Sequence, residues 1–236
     1  MKTEFSILIE WIQKLRSRYL HISSALCVYE TVSKLSASNK VGKKKAEENV
    51  KTFNDFKYFF LTSKEACRVY FFMEIAKFFD FDGRALSMGK CLDFAGKNIH
   101  KLKKVDFIVH HKDRQILPEI FKGYKELTLS ELKEMRKKIN SKKAIIKKII
   151  DYRHQYLAHD DIQKIEVSIS KKEIGEVLNV IKAFLKLFYL RLDFSSNDYR
   201  NFEKEAEVEI GRLVEYLQNW EVERLKIIEE KWKNFQ

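Results

Sequence analysis

Residues 143–161 read KAIIKKIIDYRHQYLAHDD, and this stretch decides the fold class of the chain. Four of its side chains recur at steps of four, three and four residues: Ile146, Ile150, Arg153 and Leu157. Such steps place side chains on one face of an α-helix. An arginine on that apolar face needs a fixed acceptor, because its guanidinium stays charged in proteins. The acceptor is either a carboxylate of the fold, such as Asp161, or the phosphate of a ligand.

The composition extends the helical interpretation to the whole chain. Only 7 of the 236 residues are glycine and 1 is proline, while 45% are hydrophobic. So few chain breakers exclude a turn-rich β-sandwich or barrel, and so much apolar sequence excludes a largely disordered chain. The lack of a glycine-rich cluster excludes a P-loop or dinucleotide-binding fold. We therefore expect one all-α domain over residues 1–236, an antiparallel bundle of long helices with at most a short extended segment at 164–170.

Signals at helix ends predict where the helices begin. A serine or threonine followed three residues later by glutamate has the spacing of a capping box, which occurs at Thr62, Thr128 and Ser170. Together with hydrophobic periodicity, these signals predict helices over 4–35, 46–61, 62–79, 86–99, 128–150 and onward, 174–192, and about 198–235.

Two of the six histidines lie within six residues of Arg153, at His154 and His159. Histidine can move a proton near neutral pH, and arginine can hold the charge that develops on phosphate oxygens. Taken singly, each histidine also fits a helix end or a surface position. In an unbroken helix Arg153 and His159 would differ by about 120° in azimuth. The helix must therefore end or bend near Ala158, or a second chain must supply half of the site.

The order of these residues resembles the signature of the HEPN superfamily. That signature is an arginine, four to six intervening residues and a histidine, usually with a polar residue directly after the arginine. Here His154 follows Arg153, and His159 comes after four more residues. The continuation Leu157-Ala158-His159-Asp160-Asp161 is similar to the abortive-infection HEPN proteins of the AbiU type.

The resemblance implies a HEPN-like bundle that forms homodimers, with two motifs facing each other across the two-fold axis. Many such proteins are metal-independent endoribonucleases of toxin–antitoxin and phage-defence systems. For this chain it implies that His159 is the acid and base for attack of the ribose 2′-OH, and that Arg153 holds the scissile phosphate. His154 would orient the phosphate or its partner histidine. RNA is the expected substrate, the products would carry 2′,3′-cyclic phosphate ends, no cofactor is expected, and an antitoxin protein is a candidate partner.

Basic residues precede the motif in a chain of formal net charge +12. Eight of them lie between residues 133 and 148, opposed in that stretch by Glu134 alone: Lys133, Arg136, Lys137, Lys138, Lys142, Lys143, Lys147 and Lys148. We predict that Lys142, Lys143, Lys147 and Lys148 bind an RNA backbone. The alternative is a solvated helix face.

Two other functions remain open from the sequence. The same fold could bind RNA, a nucleotide or a protein without turnover, or Arg153 could be an internal ion-pair residue of a purely structural protein.

The three cysteines are isolated, which fits reduced thiols in a cytoplasmic protein, and no stretch approaches the length of a membrane span. Adjacent histidines at 110–111 point apart and lack metal-binding companions, so we expect no metal there.

Overall fold

The computed structural model describes residues 2–80, 85–112, 123–154, 168–195 and 200–233. Within these ranges it contains ten α-helices and no strand, which confirms the all-α fold class. The helices are α1 Glu4–Leu35, α2 Ser38–Val41, α3 Lys43–Asp55, α4 Lys57–Lys77, α5 Met88–Lys97, α6 Lys104–His110, α7 Leu129–Asn140, α8 Lys143–Tyr152, α9 Lys171–Phe188 and α10 Arg200–Lys233.

Backbone contacts divide the chain into two compact units. The first comprises Met1–His21 and Phe72–Asp198. Its fully buried side chains include Phe5 and Leu15 of α1 and Phe184 and Phe188 of α9. Each such side chain contributes about 1.5–3 kcal/mol by leaving water. This unit contains the motif helix α8.

The second unit comprises Ile22–Phe71 and Tyr199–Gln236. Its core is a cluster of Val32, Phe60 and Val214, with partly buried hydrophobic side chains packed around it: Leu35, Phe53, Phe56, Ile210 and Leu217. The organisation of the chain as a single domain stays a prediction.

Two of the three predicted capping boxes are confirmed, and the third is wrong. The Thr128 and Ser170 side chains each accept a hydrogen bond from the backbone N–H three residues on, and the glutamates there bond back. Thr62, by contrast, lies inside α4, which begins at Lys57. The predicted helix over 46–61 is broken at Phe56 instead, where burial of Phe60 against the core places the start of α4 upstream of the capping signal.

The long helix predicted from residue 128 through 150 is two helices. α7 ends at Asn140 and α8 begins at Lys143. Asparagine and serine are weak helix formers because their side chains compete for backbone hydrogen bonds, and the Ser141 hydroxyl donates to the Lys138 carbonyl at 2.8 Å.

The remaining predicted bounds are close to the structure. α1 spans the predicted residues, and the C-terminal helix is described from Arg200. The helix predicted to reach residue 192 continues past Phe188 as a π-helical turn over Tyr189–Asp193. Of the proposed extended segment, residues 168–170 form no strand, and 164–167 lie outside the described residues.

Candidate functional site

Helix α8 carries Arg153 at its carboxyl end. Ile146 and Ile149 are buried and fix the face that α8 turns toward the core. Arg153 comes four residues after Ile149, so it follows that face, as the isoleucine spacing predicts. From Arg153 to His154 the backbone continues as a π-helical turn. Such turns widen the helix, re-aim side chains and are frequent at functional sites.

The side chain before Arg153 anchors this end of the helix. The Tyr152 ring packs against the ring of Phe72, which is buried, with 4.7 Å between their centroids. A tilted aromatic pair of this kind contributes about 0.5–1.5 kcal/mol beyond its burial. The azimuth of Tyr152 is thereby held, and with it the direction in which Arg153 leaves the helix.

Arg153 is half-buried, and its Nε atom is inaccessible to solvent. This N–H has no hydrogen-bond partner among the described residues, and no carboxylate of those residues forms an ion pair with the guanidinium. A buried N–H without an acceptor costs about 1–3 kcal/mol, so a group in this state needs an explanation. Pairing with Asp161, the structural alternative, falls on a residue outside the described ranges.

Of the two predicted histidines, only His154 lies within the described residues. His154 is exposed directly after Arg153. His159, with Leu157 and Ala158, lies outside the described residues. Of the predicted site, Arg153 and His154 therefore lie within the described residues and His159 does not.

The four lysines predicted to bind RNA divide into two pairs. Lys142 forms an ion pair with Glu176 at 2.9 Å, and Lys148 forms one with Glu173 at 2.6 Å. Both carboxylates belong to α9, so these bonds tie α9 to the motif helix. Lys143 and Lys147 are exposed and make no ion pair within the described ranges. Lys143 also lines a cavity of about 450 Å³ at the break between α7 and α8.

The wider basic face shows the same division. Arg136 pairs with Asp93 of α5 at 2.5 Å. Lys133, Lys137 and Lys138 are exposed, without a described ion-pair partner. The sequence shows one opposing carboxylate in this stretch, Glu134. The carboxylates that do pair come from α5 and α9, and sequence proximity gives no signal for them.

Glu173 is the junction between the motif helix and α9. One of its oxygens accepts a hydrogen bond from Lys148, and the other accepts from the backbone N–H and hydroxyl of Ser170. These hydrogen bonds lower the pKa of Glu173 to about 2. The bond from Lys148 has the largest effect, and the bonds from Ser170 come next. The capping-box spacing identified this glutamate, but its role as a link to α8 needed the tertiary structure.

A second arginine in the same unit has a carboxylate partner. Arg191 lies in the π-helical turn after α9, and its Nε and Nη2 atoms donate to one oxygen of Glu131 at 3.0 and 2.6 Å. Burial would raise the pKa of Glu131, but hydrogen bonds from Arg191 and Thr128 outweigh it and hold the pKa below its usual value. The ion pair with Glu131 gives Arg191 a structural role.

The carbonyls of that turn are also satisfied. The Tyr124 hydroxyl donates to the Arg191 carbonyl at 2.9 Å, and His111 Nε2 lies 2.9 Å from the Leu192 carbonyl. Because a carbonyl oxygen only accepts, His111 carries a proton on Nε2 there. Side chains from elsewhere in the chain therefore bind these two carbonyls of the π-helical turn after α9.

Two other kinds of site are absent from the described parts of the chain. No three His, Cys, Asp or Glu side chains are grouped there so as to hold a metal ion. No helix there has the length and apolar character needed to cross a bilayer.

The all-helical fold and the arginine at the end of α8 are the features expected of a HEPN-type protein. The family model HEPN_AbiU2, described as AbiU2, matches residues 5–211. The chain therefore belongs to the AbiU2 family, which confirms the resemblance of its motif to the abortive-infection HEPN proteins. Searches of curated proteins and of solved structures found no match.

Proposed function

We propose that this chain is a metal-independent endoribonuclease that acts as a toxin or phage-defence effector in the cytoplasm. The observation that carries the proposal is the buried Nε of Arg153, which has no acceptor among the described residues. A guanidinium in that state is suited to a ligand with fixed oxygens, and a phosphodiester presents two of them.

In the proposed reaction the ribose 2′-oxygen attacks the adjacent phosphorus. The new O2′–P bond forms as the P–O5′ bond breaks, which leaves a 2′,3′-cyclic phosphate and a 5′-hydroxyl. His159 transfers the proton of this step as acid and base. Arg153 binds the non-bridging oxygens and offsets their developing charge. His154, exposed beside Arg153, orients the phosphate or the partner histidine.

We assign the approach of the RNA to the basic face of α7 and α8. Lys143 and Lys147 are free of described carboxylates and can bind phosphates directly. Lys142 and Lys148 add positive potential, but each is shared with a glutamate of α9. Lys143 and Lys147 should therefore contribute more to RNA affinity than Lys142 and Lys148.

A homodimer completes the proposed site. Arg153 and His159 would diverge on a straight helix, so one cleft can take its arginine and histidine from motifs of both copies. An antitoxin protein that covers this cleft would be the natural regulator. Both partners are parts of the proposal.

Incubation of the purified chain with mixed RNA in the presence of a chelator tests the proposal. We expect cleavage with 2′,3′-cyclic phosphate ends, and its loss in Arg153→Ala and His159→Ala proteins that stay folded and keep the parent's oligomeric state. Arg212→Ala and His100→Ala are matched controls, because both residues are exposed and lie away from the motif in sequence. Expression of parent and His159→Ala chains in cells should show toxicity for the parent alone.

Three outcomes would contradict the proposed nuclease activity. These are unchanged cleavage by the two site variants, cleavage abolished by the chelator, and RNA binding that weakens steeply with salt but yields no cyclic phosphate. The last result would favour a non-catalytic RNA-binding HEPN module.

A further inference from the structure

The last three turns of α10 are bare. Every residue from Val222 to Lys233 is exposed, although five of them are large and apolar: Val222, Leu225, Ile227, Ile228 and Trp232. Their side chains are 36–69% exposed. A soluble helix normally turns such residues toward a partner surface.

The earlier part of the same helix is covered within its own unit. Val214 is buried against Val32 and Phe60, with Ile210 and Leu217 packed beside them. Gln218 donates to Asn49 at 3.0 Å and accepts from Lys45 at 3.1 Å. Beyond Glu221 the described chain offers no cover. A helical stretch of twelve residues without tertiary support is marginal in water, so something should bury its apolar face.

Three of the bare apolar residues follow a heptad pattern. Leu225, Ile228 and Trp232 are three and four residues apart, which is the a, d, a spacing of a coiled-coil seam. Ile227 falls at position c, outside the seam, although its exposure is similar. The pattern therefore predicts that Ile228 is buried in a helix pair and that the neighbouring Ile227 is not.

The charges on this segment favour a second copy as the occupant. Residues 212–233 contain five acidic and five basic side chains, whereas the whole chain has a net charge of +12. This segment can thus approach its own copy without net repulsion. In a parallel pair, position g of one helix faces position e of the next heptad in the other, which places Arg224 beside Glu229. An antiparallel pair would place Arg224 near Lys231.

We propose that residues 224–233 form a parallel, in-register, two-stranded coiled coil with the same segment of a second copy of this chain. The seam is Leu225, Ile228 and Trp232, and the flanks carry two symmetric Arg224–Glu229 pairs. Arg224 is bonded to Glu221 within its own helix at 2.6 Å, so it exchanges that partner for Glu229 of the second copy when the pair forms. The family match ends at Gly211, before this segment, so the proposed contact uses no residue of the proposed nuclease site.

Cysteine cross-linking of the full chain tests the contact, and the charge exchange described below tests its direction. In a parallel, in-register pair Ile228 meets its own copy, and a disulfide forms because the Cα atoms lie within about 7 Å. Ile228→Cys should therefore give a disulfide-linked dimer under mild oxidation at least about tenfold faster than Ile227→Cys. The parent, with its native Cys27, Cys67 and Cys91, provides the background. Equal rates for the two variants, or no linked dimer for Ile228→Cys, would overturn the proposal.

A charge exchange tests the flanks. Within the Ile228→Cys background, Arg224→Glu and Glu229→Arg should each slow cross-linking several-fold, and the double variant should restore the rate. Sedimentation gives a second measurement: Leu225→Glu with Ile228→Glu should weaken self-association, whereas Ile227→Glu should not. Because these residues are exposed in the chain itself, folding is not at risk. Cross-linking that ignores every charge exchange would exclude the parallel arrangement.

Discussion

Arg153 and Arg191 lie in the same unit, each in a π-helical turn that follows an α-helix, yet their surroundings are opposite. Arg191 donates twice to Glu131, and its carbonyl accepts from Tyr124. The Nε of Arg153 is inaccessible to solvent and has no acceptor among the described residues. The fold thus gives Arg191 a carboxylate partner and leaves the Nε of Arg153 without an acceptor among the described residues.

The difference separates stability from function. A buried charge that the fold itself neutralises holds helices together, and its loss strands the partner. A buried donor without such a partner lowers stability, so its retention makes sense where a ligand supplies the acceptor. The comparison can be tested by changing each arginine and asking which property fails.

The largest effect is expected from Arg153→Ala. Loss of the group that offsets phosphate charge should lower the rate of RNA cleavage by about 10²–10³-fold. Stability should change little, because the deleted Nε–H has no described partner. Arg153→Lys should remain impaired, since an ammonium lacks the planar fork that binds two phosphate oxygens. Cleavage rates and thermal unfolding, measured on the same samples, check this; a variant that is destabilised but fully active would reverse the comparison.

Arg191→Ala should do the opposite. It removes two charge-assisted hydrogen bonds to a largely buried Glu131, which should lower the free energy of unfolding by about 1.5–3 kcal/mol. Cleavage per folded molecule should stay at the parent's level well below the unfolding transition. Urea unfolding gives the free energy. Glu131→Gln with Arg191 intact is a useful partner variant, because the glutamine carbonyl can keep the bonds from Thr128 at the cap on α7, whereas its NH2 group cannot accept from Arg191.

The lysines extend the comparison to paired and unpaired cations. Lys143→Ala with Lys147→Ala should weaken RNA binding and lower the slope of log affinity against log salt concentration by about 0.7 for each phosphate that is no longer neutralised. Lys142→Ala with Lys148→Ala should lower that slope less, because each lysine is shared with a glutamate. Binding measured across a salt series distinguishes the pairs. Equal slopes would show that the helix-to-helix ion pairs do not restrain Lys142 and Lys148.

The smallest effect is expected at acid pH. Glu173 has a folded-state pKa of about 2, below its ordinary 4.5, so its contribution to stability is present above pH 4.5 and is lost as the pH falls toward 2. Lys148→Ala should make stability less sensitive to pH in that window. Lys171→Ala, on an exposed lysine beside the same cap, is the control. Thermal unfolding from pH 6 to pH 2.5 checks it, and identical profiles for parent and Lys148→Ala would rule out this link.

Local signals predicted the features that depend on neighbouring residues. The capping boxes at Thr128 and Ser170 involve groups three residues apart, so the sequence contains the whole interaction. Arg153 could be singled out for the same reason, because its helical spacing from the isoleucines is a local property. The spacing at Thr62 is identical, yet burial of Phe60 extended α4 through it.

The amino-acid sequence by itself determined the all-α class, the resemblance to HEPN proteins and the position of Arg153, because helix periodicity and a short motif are properties of nearby residues. The tertiary structure alone decided which cations of the basic face on α7 and α8 have carboxylate partners. Glu173, Glu176 and Asp93 are 25–43 residues away in the chain from the groups they bind. It also decided where apolar faces remain bare, since burial depends on how distant helices pack and not on the pattern along any one of them.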